Sequence, residues 1–293
     1  MNIPQQSISS AAVQLRARLA QDKLLIVPGV HDMIAALLAK RAGFEFIYGS
    51  GFWLTASCYG LPDAGIVGFA EMKERMAALV RVAGPQVIAD ADTGYGGLLN
   101  VHHTVRGYED IGVAAIQIED QVFPKRCGHT PNKQVIPTEE RVDKIRVACD
   151  ARRSPDTLII ARTDAREREG VAAAVRRAQA YDAAGADMLF VEGLHDAQEM
   201  RLACSEVSGL MMANMSHGGY SPMLSASELQ NIGYSCAIYP ALTGLVSTYA
   251  MTRALEELRS GTGTSDQGIA DFGDFCEMIG FTEVWAFDKK WAR

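Results

Sequence analysis

Nowhere does this chain run apolar for the ~18–20 consecutive residues that a bilayer-spanning helix requires. Met1 to Ala20 is polar and mixed in charge, without the apolar core of a secretory signal. Cysteine is sparse and scattered: Cys58, Cys127, Cys149, Cys204, Cys236 and Cys276 include no CxxC pair. That excludes a zinc ribbon or redox dithiol and fits free thiols in a reducing compartment. Positive charge is also short, with 28 lysines and arginines against 35 acids and a formal charge of −7. A sequence-independent nucleic-acid binder would need a basic face instead. No P-loop is present, and no GxGxxG follows a candidate strand. The expectation is a soluble, cytoplasmic protein with neither nucleic-acid nor membrane partners.

What is present suits a globular enzyme. Hydrophobic residues make up 48% of 293, enough for one large α/β barrel or two average domains. Eight short apolar runs rich in β-branched residues recur between turn residues: Leu24–Val30, Phe44–Gly51, Gln86–Asp92, Ala114–Asp120, Thr157–Asp164, Asp187–Gly193, Leu210–Met215 and Tyr234–Pro240. Between them, stretches such as Asp32–Ala42, Phe69–Ala83, Val101–Ile111, Glu139–Ala151, Gly170–Gly185, Ala197–Val207 and Ser225–Ile232 have helical spacing. Alternating strands and helices imply parallel pairing through right-handed crossovers. Eight units in one domain predict a (β/α)8 TIM barrel, with an open doubly wound sheet as the competitor.

The barrel is expected over residues 1–260, closing with a helix over Ser247–Ser260. Gly261-Thr262-Gly263-Thr264 reads as a hinge to a helical tail over 261–293, which carries Phe272, Phe275, Phe281, Trp285, Phe287 and Trp291. So aromatic a tail needs cover, from a neighbouring subunit or from its own barrel.

Polar residues gather where the apolar runs end, which in a barrel is one mouth. In Asp90-Ala91-Asp92, period-2 geometry would set both carboxylates on one face, where they repel unless a cation intervenes. A helix cap plus a solvated acid is the plainer reading. Glu119 ends the next strand and could reach the same ion. Asp63 could do so from a loop, or be a turn aspartate. Arg162 ends an apolar strand and needs an anion, either a substrate carboxylate or Glu192. Ser50-Gly51 and Asn214-Met215-Ser216 offer donors suited to carboxylate oxygens. Lys125-Arg126-Cys127-Gly128-His129 puts a thiol between cations and an imidazole, a setting expected to lower its pKa.

These segments, in this order from about Val27 to Pro240, resemble the isocitrate lyase/phosphoenolpyruvate mutase superfamily. The Lys125–His129 signature resembles its carbon–carbon lyase branch of 2-methylisocitrate lyase, 2,3-dimethylmalate lyase and oxaloacetate hydrolase. The resemblance implies a barrel with a C-terminal helix swapped between protomers of a homotetramer. It implies Mg²⁺, or Mn²⁺ as substitute, positioned by Asp63, Asp90, Asp92 and Glu119. The catalytic set would be Cys127 as proton donor with Tyr48, Arg162, His129 and Glu192. Ser50, Gly51, Phe52, Lys125, Gly128, Asn214, Ser216, His217 and Pro240 would bind substrate. Tyr48 is the candidate base for the substrate hydroxyl, and loop Val122–Val135 the lid.

Four residues depart from the lyase pattern. His217 stands where a glutamate is usual, Gln117 where several lyases have histidine, and Phe52-Trp53 where some relatives have small residues. The expected activity is cleavage of a 2-hydroxy di- or tricarboxylate to a 2-oxo acid and a carboxylate. Alternatives are hydrolysis or decarboxylation of oxaloacetate, phosphorus–carbon chemistry of the (carboxy)phosphoenolpyruvate mutase type, and a non-catalytic carboxylate-binding barrel.

Overall fold

The computed structural model describes residues 8–84, 86–261 and 268–292. Its strands are β1 (Leu25–Val30), β2 (Phe46–Gly49), β3 (Gln86–Asp90), β4 (Ala115–Glu119), β5 (Leu158–Thr163), β6 (Met188–Val191), β7 (Leu210–Asn214) and β8 (Cys236–Tyr239). They form a closed barrel in sequence order, and β8 pairs parallel with β1 through Leu25↔Cys236 to Pro28↔Tyr239. The eight expected runs are these eight strands, each trimmed by one or two residues at one or both ends.

α1 (Ile8–Leu19) precedes β1. Around the barrel lie α2 (Met33–Arg41), α3 (Gly51–Tyr59), α4 (Phe69–Ala83), α5 (Leu98–Ile111), α6 (Thr138–Ala151), α7 (Arg166–Glu169), α8 (Val171–Ala183), α9 (Ala197–Glu206) and α10 (Ala226–Ile232). Side chains start several of them as a sequence reader would expect. Asp32 accepts from the Ala35 N–H, Asp196 from Gln198 and Glu199, and Ser225 forms a capping box with Glu228. The apolar spacing does not announce α1, α3 or α7. In particular α3 is apolar on all sides and follows β2 after one residue, so its start reads as more strand.

Period-2 alternation divides the core. Ile47, Ala89, Ile116, Ile118 and Ile159 point outward to the helices. Phe46, Tyr48, Ile88, Ala115, Ile160, Phe190, Met212 and Ile238 fill the barrel interior. Each fully buried Leu, Ile or Phe contributes about 1.5–3 kcal/mol by leaving water. The inward register fixes the site: the same parity that buries Ile88, Ala115, Ile160, Phe190 and Met212 brings Asp90, Gln117, Glu119, Arg162, Glu192 and Asn214 to the mouth.

The chain's two compact units divide between Thr243 and Gly244. α11 (Leu242–Ser260) begins five residues earlier than the apolar spacing suggests and falls largely in the second unit, not the barrel. That unit continues with α12 (Phe272–Met278) and α13 (Phe281–Trp291), which pack on each other. Of the expected hinge, Thr262–Thr264 lie outside the described residues. Phe272, Trp285, Phe287 and Trp291 are exposed in this chain. No helix among the described residues is long and apolar enough to cross a membrane.

Candidate active site

Asp90 is the last residue of β3, and Asp92 lies beyond the strand in left-handed backbone at φ 47°. The two carboxylates are therefore not neighbours on one strand face, as period-2 spacing implied. A tight turn brings them together: the Asp92 N–H donates to Asp90 Oδ1 at 3.1 Å. Gly51, the first residue of α3, completes the turn by donating its N–H to Asp90 Oδ2 at 3.1 Å. A helix N-terminus favours that negative charge. A Cβ on Gly51 would lie 3.0 Å from Asp90 Oδ2 and 3.2 Å from Asp92 Oδ1, so glycine leaves the only room between helix and acids.

Lys125 supplies the positive charge here. Its ammonium sits 2.5 Å from Asp63 and 2.8 Å from Asp92 and is almost wholly buried. Burial opposes its charge, but Asp92, Glu119, Asp63 and Asp90 outweigh that and hold its pKa well above the usual value. Burial pushes the Asp92 carboxyl up against the pull of Lys125, and Glu119 is likewise raised by burial despite Arg162. Among the described residues no three His, Cys, Asp or Glu side chains converge tightly enough to hold an ion unaided. The donor set still fits one. Mg²⁺ takes one or two carboxylates and completes its shell with water and substrate oxygens. Glu119 Oε1 is buried without a hydrogen-bond partner, and an ammonium already occupies the carboxylate cluster.

Next around the barrel, Glu119 pairs in register with Arg162. Arg162 Nε and Nη2 donate to the two oxygens of Asp164, each at 2.9 Å. Glu192 lies 3.4 Å and Glu119 3.5 Å away. Arg162 thus has three carboxylate partners, where the sequence suggested a substrate carboxylate or Glu192. Asn214 Nδ2 donates to Glu192 Oε2 at 2.9 Å and lies 3.2 Å from His129 Nε2. Tyr48 donates its hydroxyl to Gln117 Oε1 at 3.0 Å, while the Gln117 amide nitrogen is buried without a partner. Burial, then Asp90, push the Tyr48 phenol well above its usual pKa. Its proton is committed to Gln117, which is at odds with Tyr48 as a ready base.

The loop from Val122 to Val135 covers this mouth. Its stem is pinned by Val122 N–H to Gln134 O at 2.8 Å and Ile136 N–H to Asp120 O at 2.9 Å. The Gln121 amide grips the Arg126 backbone from both sides, at 2.8 and 2.9 Å. Gly128 rests on Arg162 and Glu192 so closely that a Cβ would collide with the guanidinium. Cys127 is half-buried, and burial raises its thiol pKa; the His129 N–H, Arg162 and Lys125 pull it down but lose. The expectation of a lowered pKa is thus corrected: cations lower a thiol pKa only where their attraction exceeds the cost of desolvating the thiolate, and here burial wins while Arg126 lies exposed.

Ser50 is buried and makes no side-chain cap to α3. Ser216 is buried just past β7, Phe52 is half-buried edge-on to Trp53, and Pro240 packs on Gly29 at the β1–β8 seam. His217 is exposed and is not brought to the cluster, because the chain turns outward after Ser216. Two residues the sequence did not single out are central. Asp164 follows Arg162 by two positions, a visible spacing; Lys133, in Pro131-Asn132-Lys133, reads as a solvated turn lysine yet is buried.

Residues 15–259 match the family model described as phosphoenolpyruvate phosphomutase. The chain is 40% identical over 287 residues to 2,3-dimethylmalate lyase of Eubacterium barkeri, covering 97% of this chain and 99% of that protein. It is 41% identical over 285 residues to 2-methylisocitrate lyase of Halalkalibacterium halodurans, covering 96% and 94%. Oxaloacetate acetylhydrolase, solved with 3,3-difluorooxalacetate, superimposes with a TM-score of 0.90 at 32% identity, covering 96% and 97%. Phosphonopyruvate hydrolase, solved with oxalate and Mg²⁺, does so at 0.86 and 30%, covering 97% and 99%. With most of its length matched to these lyases and hydrolases around one carboxylate-rimmed barrel mouth, the chain belongs to the isocitrate lyase/phosphoenolpyruvate mutase superfamily.

Proposed function

We propose that this protein is a divalent-metal-dependent carbon–carbon lyase acting on a 2-hydroxy di- or tricarboxylate of the alkylmalate or 2-methylisocitrate type. The products would be a 2-oxo acid, such as pyruvate, and a carboxylate. The observation that carries the proposal is the closed lid. It supports this reading because Lys125 of the loop meets Asp63 and Asp92, and Gly128 rests on Arg162 and Glu192. The Cys127 thiol between them would therefore face acids suited to a hard cation on one side and Arg162 on the other.

Asp90, Asp92 and Glu119, with Asp63 in reach, would hold Mg²⁺, and Mn²⁺ would use the same hard oxygen donors. When bound, the ion would lower the pKa of the substrate hydroxyl and offset the charge of its neighbouring carboxylate. The Ser50 hydroxyl would receive the 2-oxo acid carboxylate at the start of α3, beside Gly51, whose N–H holds Asp90. Tyr48, its own proton held by Gln117, would accept a hydrogen bond from the substrate hydroxyl and orient it. As the bond breaks, the hydroxyl proton would pass to a carboxylate of the cluster such as Glu119, whose Oε1 has no other hydrogen-bond partner. Arg162, with Asn214, His129 and Gly128 around it, would bind the second carboxylate, and Glu192 and Asp164 hold the guanidinium in place. Negative charge develops on the carbon beside that second carboxylate as the bond breaks, and the Cys127 thiol delivers its proton there. Lys125 adds positive charge to the cavity, while Phe52, Ser216 and Pro240 shape its rim. The lid excludes water that would otherwise quench the carbanion unspecifically.

The apolar faces of α11 and α13 would be covered by a second copy, as in a homotetramer of helix-swapped dimers in the cytoplasm. Hydrolysis of oxaloacetate is the second reading, favoured by the acetylhydrolase's similarity. A product panel separates them: 2-methylisocitrate, 2,3-dimethylmalate, citramalate, oxaloacetate and phosphonopyruvate, each with Mg²⁺ and with EDTA. Metal-dependent release of a 2-oxo acid from a malate-type compound is expected. Oxalate and acetate from oxaloacetate alone would replace this reading with the hydrolase.

A further inference from the structure

Lys133 is nearly as buried as any hydrophobic residue, yet it lies outside the acid cluster at the mouth. Its ammonium donates to the Gly128 carbonyl, the peptide next to Cys127. On the far side it faces Glu167 Oε2 at 3.2 Å and Asp164 Oδ1 at 3.8 Å. The ring of Tyr220 covers it, with the ammonium 5.6 Å from the centroid. Asp164 is the same carboxylate that grips Arg162 with both oxygens. A chain of contacts therefore runs from the guanidinium on the barrel, through Asp164 and Lys133, to the peptide beside the thiol.

The same turn also meets the barrel through His129, whose Nε2 lies 3.2 Å from Asn214 Nδ2, and through Gly128 against Arg162 and Glu192. Thr130 caps the Cys127 carbonyl through its N–H at 2.9 Å and its hydroxyl at 2.7 Å, which shapes the turn without fastening it to the barrel. The stem bonds at Val122 and Ile136 anchor the two ends of the lid. On the Cys127 side facing β5, the charged bridge is Lys133. A buried ammonium is costly unless paired, and here Asp164, Glu167 and the Gly128 carbonyl converge on it.

We infer that Lys133 is a positioning residue, which clasps the lid to Asp164 and so sets the Cys127 thiol over the carboxylate held by Arg162. The inference rests on the lyase reading for its catalytic consequence, but the placement of the thiol can be read without any turnover.

The test compares wild type, Lys133→Met and Lys133→Arg by the rate at which iodoacetamide alkylates each cysteine, mapped by peptide mass spectrometry. Lys133→Met should raise the rate at Cys127 about tenfold, because the lid opens locally, and leave Cys58, Cys149 and Cys204 unchanged. Lys133→Arg should return Cys127 to within about threefold of wild type, since the guanidinium can reach the same oxygens. In turnover of whichever panel substrate is active, Lys133→Met should lower kcat about tenfold or more with KM within about threefold, as expected when a proton donor is misplaced and binding is kept. An unchanged Cys127 rate in Lys133→Met overturns the clasp. So does equal acceleration at all four cysteines, which would mark general loosening. Loss of the lyase reading with a selective Cys127 response would leave the clasp standing.

Discussion

At the scale of single residues, burial decides what flanking charge alone does not. Cys127 sits between Arg126 and His129 and close to Lys125, yet desolvation raises its pKa. For a general acid that is the useful direction, since the group must carry its proton at neutral pH. Its contribution to kcat/KM should hold through neutrality and be lost only as pH rises through the raised thiol pKa, above the ordinary ~8.5. A pH profile of wild type checks the sign. Cys127→Ala should cut kcat roughly 10²–10⁴-fold, the usual worth of a positioned acid, while calorimetry shows unchanged Mg²⁺ binding. Gly51→Ala tests the acid cluster separately. Its new methyl would press on Asp90 and Asp92 from 3.0 and 3.2 Å. Mg²⁺ affinity by calorimetry should fall about tenfold or more, as expected when ligating oxygens are displaced. The types of these residues were legible in the sequence because carboxylates, an arginine and a thiol beside strand ends have few other uses together. Their partners were not. Lys133 and Gln121 do their work through backbone carbonyls and amides, which leave no trace in residue order, and His217 looks as eligible as His129 until the chain turns it outward.

Elements explain which parts of the site could be read in advance. Strand parity is set by the apolar pattern, so Asp90, Glu119, Arg162, Glu192 and Asn214 follow from Ile88, Ala115, Ile160, Phe190 and Met212. Asp92 does not, because β3 has already ended and a left-handed residue re-aims the chain. Nor does α3, whose all-round apolar character hides its start although its first N–H binds Asp90. The seam between β1 and β8 offers an element-level test. A Cβ at Gly29 would fall 2.4 Å from the backbone Cα of Pro240, which cannot swing aside. Gly29→Ala should destabilise by about 1–3 kcal/mol through overpacking. For a chain of this size each kcal/mol lowers the melting temperature by about 2–4 °C. A calorimetric scan reads the shift, and an unchanged melting temperature would mean that the seam is slack.

For the whole molecule, the barrel was legible because eight buried strands of similar length admit few other closures. The tail was legible as something needing cover. Trp285 and Phe287 remain 52% and 63% exposed, too much aromatic surface for an isolated protein in water. Sedimentation should therefore find an oligomer, and Trp285→Asp combined with Phe287→Asp should shift it to smaller species. A wild-type monomer at micromolar concentration would contradict the subunit-packing proposal. The central claim, that a malate-type carbon–carbon bond breaks and the departing carbon is protonated by the enzyme, is tested most directly by proton NMR of the reaction in D₂O with Mg²⁺. The handedness of the product acid is read after esterification with a chiral alcohol. The account predicts a 2-oxo acid and a carboxylate carrying one deuteron beside its carboxyl, formed with a single handedness because Cys127 approaches from one face. A racemic deuterated carbon, or no carbon–carbon cleavage of any malate-type substrate, would contradict it.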